Sequence, residues 1–418
     1  MTAAQLSIAF FLQMAAIILA CRITGWAARR FLGQPQVVGE MIAGVLIGPS
    51  VLGMIAPSVE LALFPAESKK VLFVCAQLGV GLYMFLVGLG FDRDEFRRSA
   101  RGAAAVSIAG MAAPFAAAAL LAPWLTGQPG LFAPHVKQWQ AALFLGSAIA
   151  ITAFPMLARI IHERGISGTR LGTLTLSAGA IGDAGAWVVI ALVLASLGDG
   201  AVVAVKAVGG GLAFALVAVL IAPRLLARLE PLAERRGGVD ETLLAAVLVL
   251  FLLSAWAMDA AGIHAVFGGF LLGTAMPRGR FAEQVRAKLE PFTVVFLLPI
   301  FFTYSGLNTQ LQAVNSLPLL LVALAVLALS VLAKGGACYV AARFSGENHS
   351  TAMGIGALMN ARGLMELIVI NIGLQRGIIG PPLFAMLVLM AIVTTLMASP
   401  MFEAFYGRRM RQETRAKS

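Results

Sequence analysis

Stretches of about 20 apolar residues, long enough to cross a bilayer core of about 30 Å as helices, recur from Gln5 almost to the C-terminus. Backbone polar groups in hydrocarbon must be satisfied within their own segment or in a closed barrel, and runs this long without alternation exclude the barrel. What remains is an all-α, polytopic membrane protein. Composition agrees: 60% of the 418 residues are hydrophobic and 12% are charged, against roughly 25% charged in a soluble globular domain. No connecting segment is long enough to hold a soluble domain. The first 20 residues contain no Lys or Arg, so the basic start of a cleavable signal is missing and the first helix is expected to be retained.

About thirteen spans are expected, over residues 3–28, 35–48, 69–91, 100–123, 139–163, 168–197, 202–223, 239–259, 262–276, 288–307, 316–342, 348–374 and 380–405. With the N-terminus outside and the C-terminus inside, 22 of the 31 Lys and Arg residues fall in cytoplasmic segments. Only 5, namely Lys69, Lys70, Lys137, Lys206 and Arg376, fall on the other side. Basic residues favour cytoplasmic loops, which sets this orientation. The same placement accounts for the net charge of +11. On a soluble domain that charge would suggest nucleic acid, but here it lies in short loops beside apolar helices, and no nucleic-acid partner is expected. Cys21, Cys75 and Cys338 lie in apolar segments without a CxxC or Cys/His cluster, so neither a disulfide nor a resident metal is expected. A GxxxxGK[ST] phosphate loop is absent, as is any nucleophile/base constellation, so no cofactor and no enzyme activity are implied.

The halves echo each other. AGVLIGP at 43–49 resembles GGFLLGT at 268–274, MFLVGLGFD at 84–92 resembles FFTYSGLNT at 301–309, and ERGI at 163–166 resembles QRGI at 375–378. The offset is seven expected helices, and an odd number inverts the second copy. The expected organisation is repeat one at about 3–197, a linker helix at about 202–223, repeat two at about 239–405 and a short basic tail at 406–418. Inverted repeats place substrate and coupling ion near the midplane, where broken helices meet.

An ionisable residue at mid-bilayer costs about 2.5–3.5 kcal/mol and requires a partner or a function. Six qualify: Glu40, Arg159, Asp183, Lys334, Arg362 and Glu366. Asp183, in LSAGAIGDAGAWVVIAL, is flanked by small residues that let backbones and ions approach. Burial disfavours its charged form, so a proton and a cation would compete for one carboxylate. An ion pair between Asp183 and Lys334 is the structural alternative. Thr152 and Pro155 interrupt SAIAITAFPML, and Asn360 and Gly363 interrupt GIGALMNARGLMELI at a matching place, which makes both segments candidates for broken helices. Unwound carbonyls and the Thr152 hydroxyl would supply hard oxygen ligands. Arg362 and Glu366, four apart on one face, read as a supporting pair. Lys334 is a second proton carrier, and Glu40 offsets one of these cations or lines an entry route. Arg159, near a span end, is expected to extend its head group to the interface.

Four stretches, QPQVVGEMIAGVLIGPSVLG, AIAITAFPMLARII, LSAGAIGDAGAWVVIAL and ALMNARGLMELIVINIGLQRGII, resemble the second monovalent cation:proton antiporter family, the Kef-type and NapA-type exchangers. The resemblance implies a secondary antiporter of Na+ or K+ against H+ in a bacterial plasma membrane, working as a homodimer within membrane lipid. It implies a dimerisation bundle and a six-helix core with two crossed discontinuous helices, around Thr152 and Asn360, that moves like an elevator. Asp183 matches the family's ion-binding aspartate and Lys334 the lysine that some members place beside it. Gly182 departs from the pattern, since many relatives carry Asp, Asn or Gln there. One ligand fewer favours one-for-one exchange. A cation-coupled carrier of an organic solute and a non-transporting sensor are the rival readings of the same charges.

Overall fold

The computed structural model describes residues 2–91, 93–194, 202, 205–307, 316–362 and 364–407. Among these, nine helices are long and apolar enough to cross a membrane. The chain is an all-helical, multi-pass membrane protein. The basic tail from residue 408 lies outside the described residues, as do Asp92, Asn308 and Thr309 of the second echo.

Helix α1 (Ala3–Leu32) starts where Thr2 Oγ1 accepts the Gln5 amide and the Gln5 side chain returns a bond to the Thr2 amide. It ends at Gly33, whose φ of 61° is the left-handed conformation that lets the chain turn sharply. Helix α2 (Gln36–Ile47) follows Pro35, and two short helices, α3 (Leu52–Ile55) and α4 (Pro57–Leu63), lead to α5 (Ala66–Leu89) and α6 (Arg93–Thr126). Next come α7 (Gln138–Ala150), α8 (Phe154–Glu163) and α9 (Arg170–Leu194). The second half holds α10 (Lys206–Arg235), α11 (Glu241–Ala260), α12 (Ala265–Ala275), α13 (280–307), α14 (Leu317–Phe344), α15 (His349–Leu358), α16 (Leu364–Gln375) and α17 (Pro381–Gly407).

Two of the expected single spans, 139–163 and 348–374, are each divided into a pair of helices. The span expected at 288–307 begins eight residues earlier, because the amphipathic segment Arg280–Phe292 runs through Pro291 into it. Widened π-turns occur in α10, α13, α14 and α17. Asp240 caps α11 by accepting the Leu243 amide at 2.8 Å, with Arg236 also 2.8 Å away. These bonds hold its carboxyl below the ordinary aspartate range.

The echoed segments pack across the halves rather than within them. α2 lies against α13 and α5 against α12, with backbones nearly touching. A Cβ at Gly44 would stand 2.3 Å from the Thr303 carbonyl oxygen, and one at Gly88 2.3 Å from the Phe270 carbonyl oxygen. Such small-residue contacts bring membrane helices within backbone distance, where dispersion forces are strongest. Gly88→Val and Gly273→Val are therefore expected to pry α5 from α12 and destabilise the protein by at least about 1–3 kcal/mol, the usual cost of overpacking. Thermal melting followed by size-exclusion chromatography checks this, and Gly209→Ala, in open space, should leave the transition in place.

Candidate functional site

Pro155, in the first turn of α8, has no amide hydrogen and cannot continue α7. Ile151 is extended, with ψ of 131°, and Ala153, with ψ of 89°, is outside the helical region as well. The second interruption follows Leu358, with helix resuming at Leu364; Gly363 lies outside the described residues. The breaks meet. The Ala153 amide donates to the Ala361 carbonyl at 3.0 Å, and the Thr152 hydroxyl donates to the Met359 carbonyl at 3.3 Å. From α17, the Thr395 hydroxyl lies 2.9 Å from the Arg362 amide and 2.8 Å from its carbonyl, clipping the unwound backbone in place.

Unwinding exposes helix ends, and buried charges complement them. The C-terminal carbonyls of α7 carry partial negative charge. Arg362 donates to Ala148 O at 3.0 Å, and the Lys334 ammonium donates to Ala150 O. Lys334 sits inside the π-turn of α14, where the helix widens, and only 1% of it is exposed. Next to it, Gly335 lets α14 approach so closely that a Cβ there would be 2.4 Å from Asn360 Nδ2. Asn360 Nδ2 donates to Gly356 O at 3.0 Å, while its Oδ1 has no hydrogen-bond partner.

Asp183, on α9, is completely buried, and neither carboxylate oxygen has a hydrogen-bond partner. Its electrostatic neighbours are the Lys334 ammonium and the Phe154 amide in the first turn of α8, neither in hydrogen-bond geometry to it. The carboxylate thus faces the positive end of one half-helix while two cations occupy the negative end of the other. Thr152, Asp183, Lys334, Asn360 and Arg362 are gathered by the two breaks. Arg362 also pairs with Glu366 at 3.5 Å, both fully buried.

Glu40 lies elsewhere. It faces Arg159 and Glu163 rather than Lys334 or Arg362, which corrects the expectation that it offsets one of those cations. Arg159 is 5% exposed and lies 2.6 Å from Glu163. A local carboxylate four residues on holds its head group, so it does not extend to the interface. Sequence reasoning also missed Ser107 of α6. Its buried hydroxyl has no partner and stands 3.2 Å from where a Gly182 Cβ would be, in the space left by the absent side chain. A lone serine in an Ala-rich helix carries no signal of this. The Ala148 and Ala150 carbonyls were equally invisible, since any residue supplies them.

Among the described residues no group of His, Cys, Asp or Glu could hold a transition metal. The polar groups around the breaks are instead one carboxylate, a hydroxyl, an amide oxygen and unwound carbonyls, hard oxygen donors of the kind that take a small monovalent cation or a proton.

Residues 15–405 match the family model described as sodium/hydrogen exchanger, transmembrane. The chain is 36% identical to the Na(+)/H(+) antiporter NhaS4 of Synechocystis, over 93% of this chain and 95% of that protein. It is 29% identical to the K(+)/H(+) antiporter 1 of Saccharomyces cerevisiae, over 97% of this chain but 47% of that protein, so it spans about half the length of the yeast relative. Among solved structures, the sodium proton antiporter MjNhaP1 of Methanocaldococcus jannaschii shares the fold with a TM-score of 0.63 at 16% identity, over 96% of this chain and 97% of that one.

Proposed function

This chain belongs to the transmembrane sodium/hydrogen exchanger family, a family of transporters rather than enzymes, and from that premise we propose that it exchanges Na+ or K+ for H+ with Asp183 as the group for which both ions compete. The observation that carries this reading is the unsatisfied carboxylate. A buried charge without partners is intolerable in hydrocarbon, so Asp183 must take a proton or a cation in every state in which it is enclosed. Obligatory occupancy by one of two ligands is what couples their fluxes. Thr152, Asn360 and the unwound carbonyls complete the cation shell. Lys334, tied to Ala150 O and near the carboxylate without a hydrogen bond to it, serves as a second proton carrier.

The rest of the reading is an alternating-access exchanger built as an inverted repeat, with the two discontinuous helices crossing at their breaks. The exchanged packing of α2 on α13 and α5 on α12 supports the repeat, because a two-fold relation brings the first echo of each half against the second echo of the other. We place the protein in a bacterial plasma membrane, N-terminus out and C-terminus in, as a homodimer.

The test is proton flux in reconstituted vesicles on adding Na+, K+ or Li+. Collapse of an imposed pH gradient by one of these ions supports exchange and identifies the substrate; folded protein that responds to none refutes it. Thr152→Val, which keeps volume and removes the hydroxyl, is expected to raise the half-saturating cation concentration by roughly ten-fold, equivalent to about 1.4 kcal/mol. Thr152→Ser should restore it, measured in the same assay.

A further inference from the structure

The far end of α8 carries a second set of buried ionisable groups that exchange at Asp183 does not use. α8 has 10 residues, about 15 Å at 1.5 Å per residue, with Phe154 near Asp183 at one end and Glu163 at the other. Arg159 Nε lies 2.6 Å from Glu163 Oε1. The other Glu163 oxygen accepts the Gln36 amide, and the Gln36 side chain donates to Glu40 Oε1 at 3.0 Å. These bonds join α8 to α2. Glu40 is fully buried, and its Oε2 has no hydrogen-bond partner.

Among the described residues the surroundings supply little further compensation. From α5, Tyr83 contributes a buried hydroxyl without a partner. From α13, the Thr303 hydroxyl donates to the Glu40 backbone carbonyl at 3.5 Å, and from α1 Cys21 contacts Thr303 at 3.0 Å. Arg22 of α1 also acts on Glu40, as the weakest of the charges that do, and its exposure to solvent screens it. His162 and Glu290, 3.9 Å apart, are both substantially exposed at the outer end of α8 and α13. Arg286 caps α5 at Leu86 O. Inside the contact, two carboxylates face one guanidinium. One negative charge is left over in a desolvated place, and a free oxygen stands ready to be neutralised.

We propose that Glu40 is a second proton-binding site, holding one proton at the α2–α8 contact. The neutral acid leaves the Arg159–Glu163 pair balanced and α8 seated on α2. Loss of that proton leaves a net negative contact and weakens it. Because α8 is continuous between the two sites, the charge on Glu40 biases the movement of the half-helix whose other end faces Asp183. This role in turnover rests on the exchange reading; the location of the proton does not.

The first test is infrared spectroscopy of the purified full-length Asp183→Asn protein near neutral pH, which removes the main carboxyl from the spectrum. The protonated-carboxyl band should lose about one group's intensity in Asp183→Asn/Glu40→Gln, lose it also in Asp183→Asn/Glu163→Gln, where Arg159 is freed to balance an ionised Glu40, and keep it in Asp183→Asn/Asp240→Asn, a carboxyl outside the contact. An unchanged band overturns the proposal. Should Gln at this position prevent folding, Asp183→Asn/Glu40→Asp must shift the band instead, and a band that stays in place overturns the proposal equally. In vesicles, Glu40→Gln with Asp183 intact should keep exchange but flatten its dependence on pH, and an unaltered pH profile overturns the role in turnover. Wild-type vesicles inert to all three cations would refute exchange while leaving the infrared result to decide the proton.

Discussion

Asp183→Asn is expected to abolish cation-driven proton flux, with a fall of about three orders of magnitude against wild type in reconstituted vesicles. The amide cannot take up a proton at any relevant pH and offers a cation no net charge. A unit charge at about 4 Å in surroundings of effective dielectric near 20 contributes about 4 kcal/mol, which is nearly three decades in affinity. The shape is preserved, and no hydrogen bond to either oxygen is lost, because none exists. Removing a buried carboxylate also removes its desolvation cost. The variant should therefore melt no earlier than wild type while being inert. An Asp183→Asn protein that still exchanges cations for protons would sink the assignment, and one that is inert only because it is unfolded would show an early melting transition.

That dissociation between stability and activity follows from where the structure spends its polar groups. Every other buried charge at the breaks is engaged: Lys334 with Ala150 O, and Arg362 with Ala148 O and Glu366. The oxygens of both Asp183 and Glu366 lack hydrogen bonds, but Glu366 has its ion pair with Arg362, whereas Asp183 has neither a hydrogen bond nor an ion pair among the described residues. The contrast divides the site into groups that hold the unwound segments in place and a group kept available for the ions.

The sequence made part of this legible. Apolar runs locate helices because hydrocarbon permits little else, and a carboxylate at mid-span stands out for the same reason. Asp183, Lys334, Arg362 and Glu366 could be singled out without coordinates. Pro155 marked the first break, since a missing amide hydrogen is a local property. What stayed hidden was long-range or generic. Nothing in VVGEMIAG says that Glu40 faces Arg159 rather than Lys334, because that depends on α2 packing beside α8. The π-turn at Lys334 leaves no residue pattern, and the clip from Thr395 to Arg362 joins positions 33 apart through a hydroxyl that elsewhere in α17 bonds its own helix. Gly182 was read as a lost ligand; only the fold brings Ser107 to the vacated space.

The largest loss of stability is expected from Arg362→Ala. Arg362 is the largest fully buried side chain of the molecule among the described residues, and it serves three purposes at once. Its guanidinium caps Ala148 O, it balances Glu366 at 3.5 Å, and its backbone is clipped by Thr395. Truncation would leave Glu366 without its ion-pair partner and Ala148 O without its donor, and breaking a buried pair from one side costs about 3–5 kcal/mol. Membrane yield and melting temperature should both fall sharply. The loss belongs to the pair rather than to the arginine, so Arg362→Met/Glu366→Leu, which removes both charges and keeps bulk, should recover most of it. A double-mutant cycle on thermal stability would then give a coupling of about 2 kcal/mol or more. If the double variant is as unstable as the sum of the single ones, Ala148 capping and not the ion pair is the main contribution. Exchange by the recovered double variant, with Asp183 and Lys334 untouched, would separate support of the breaks from transport itself.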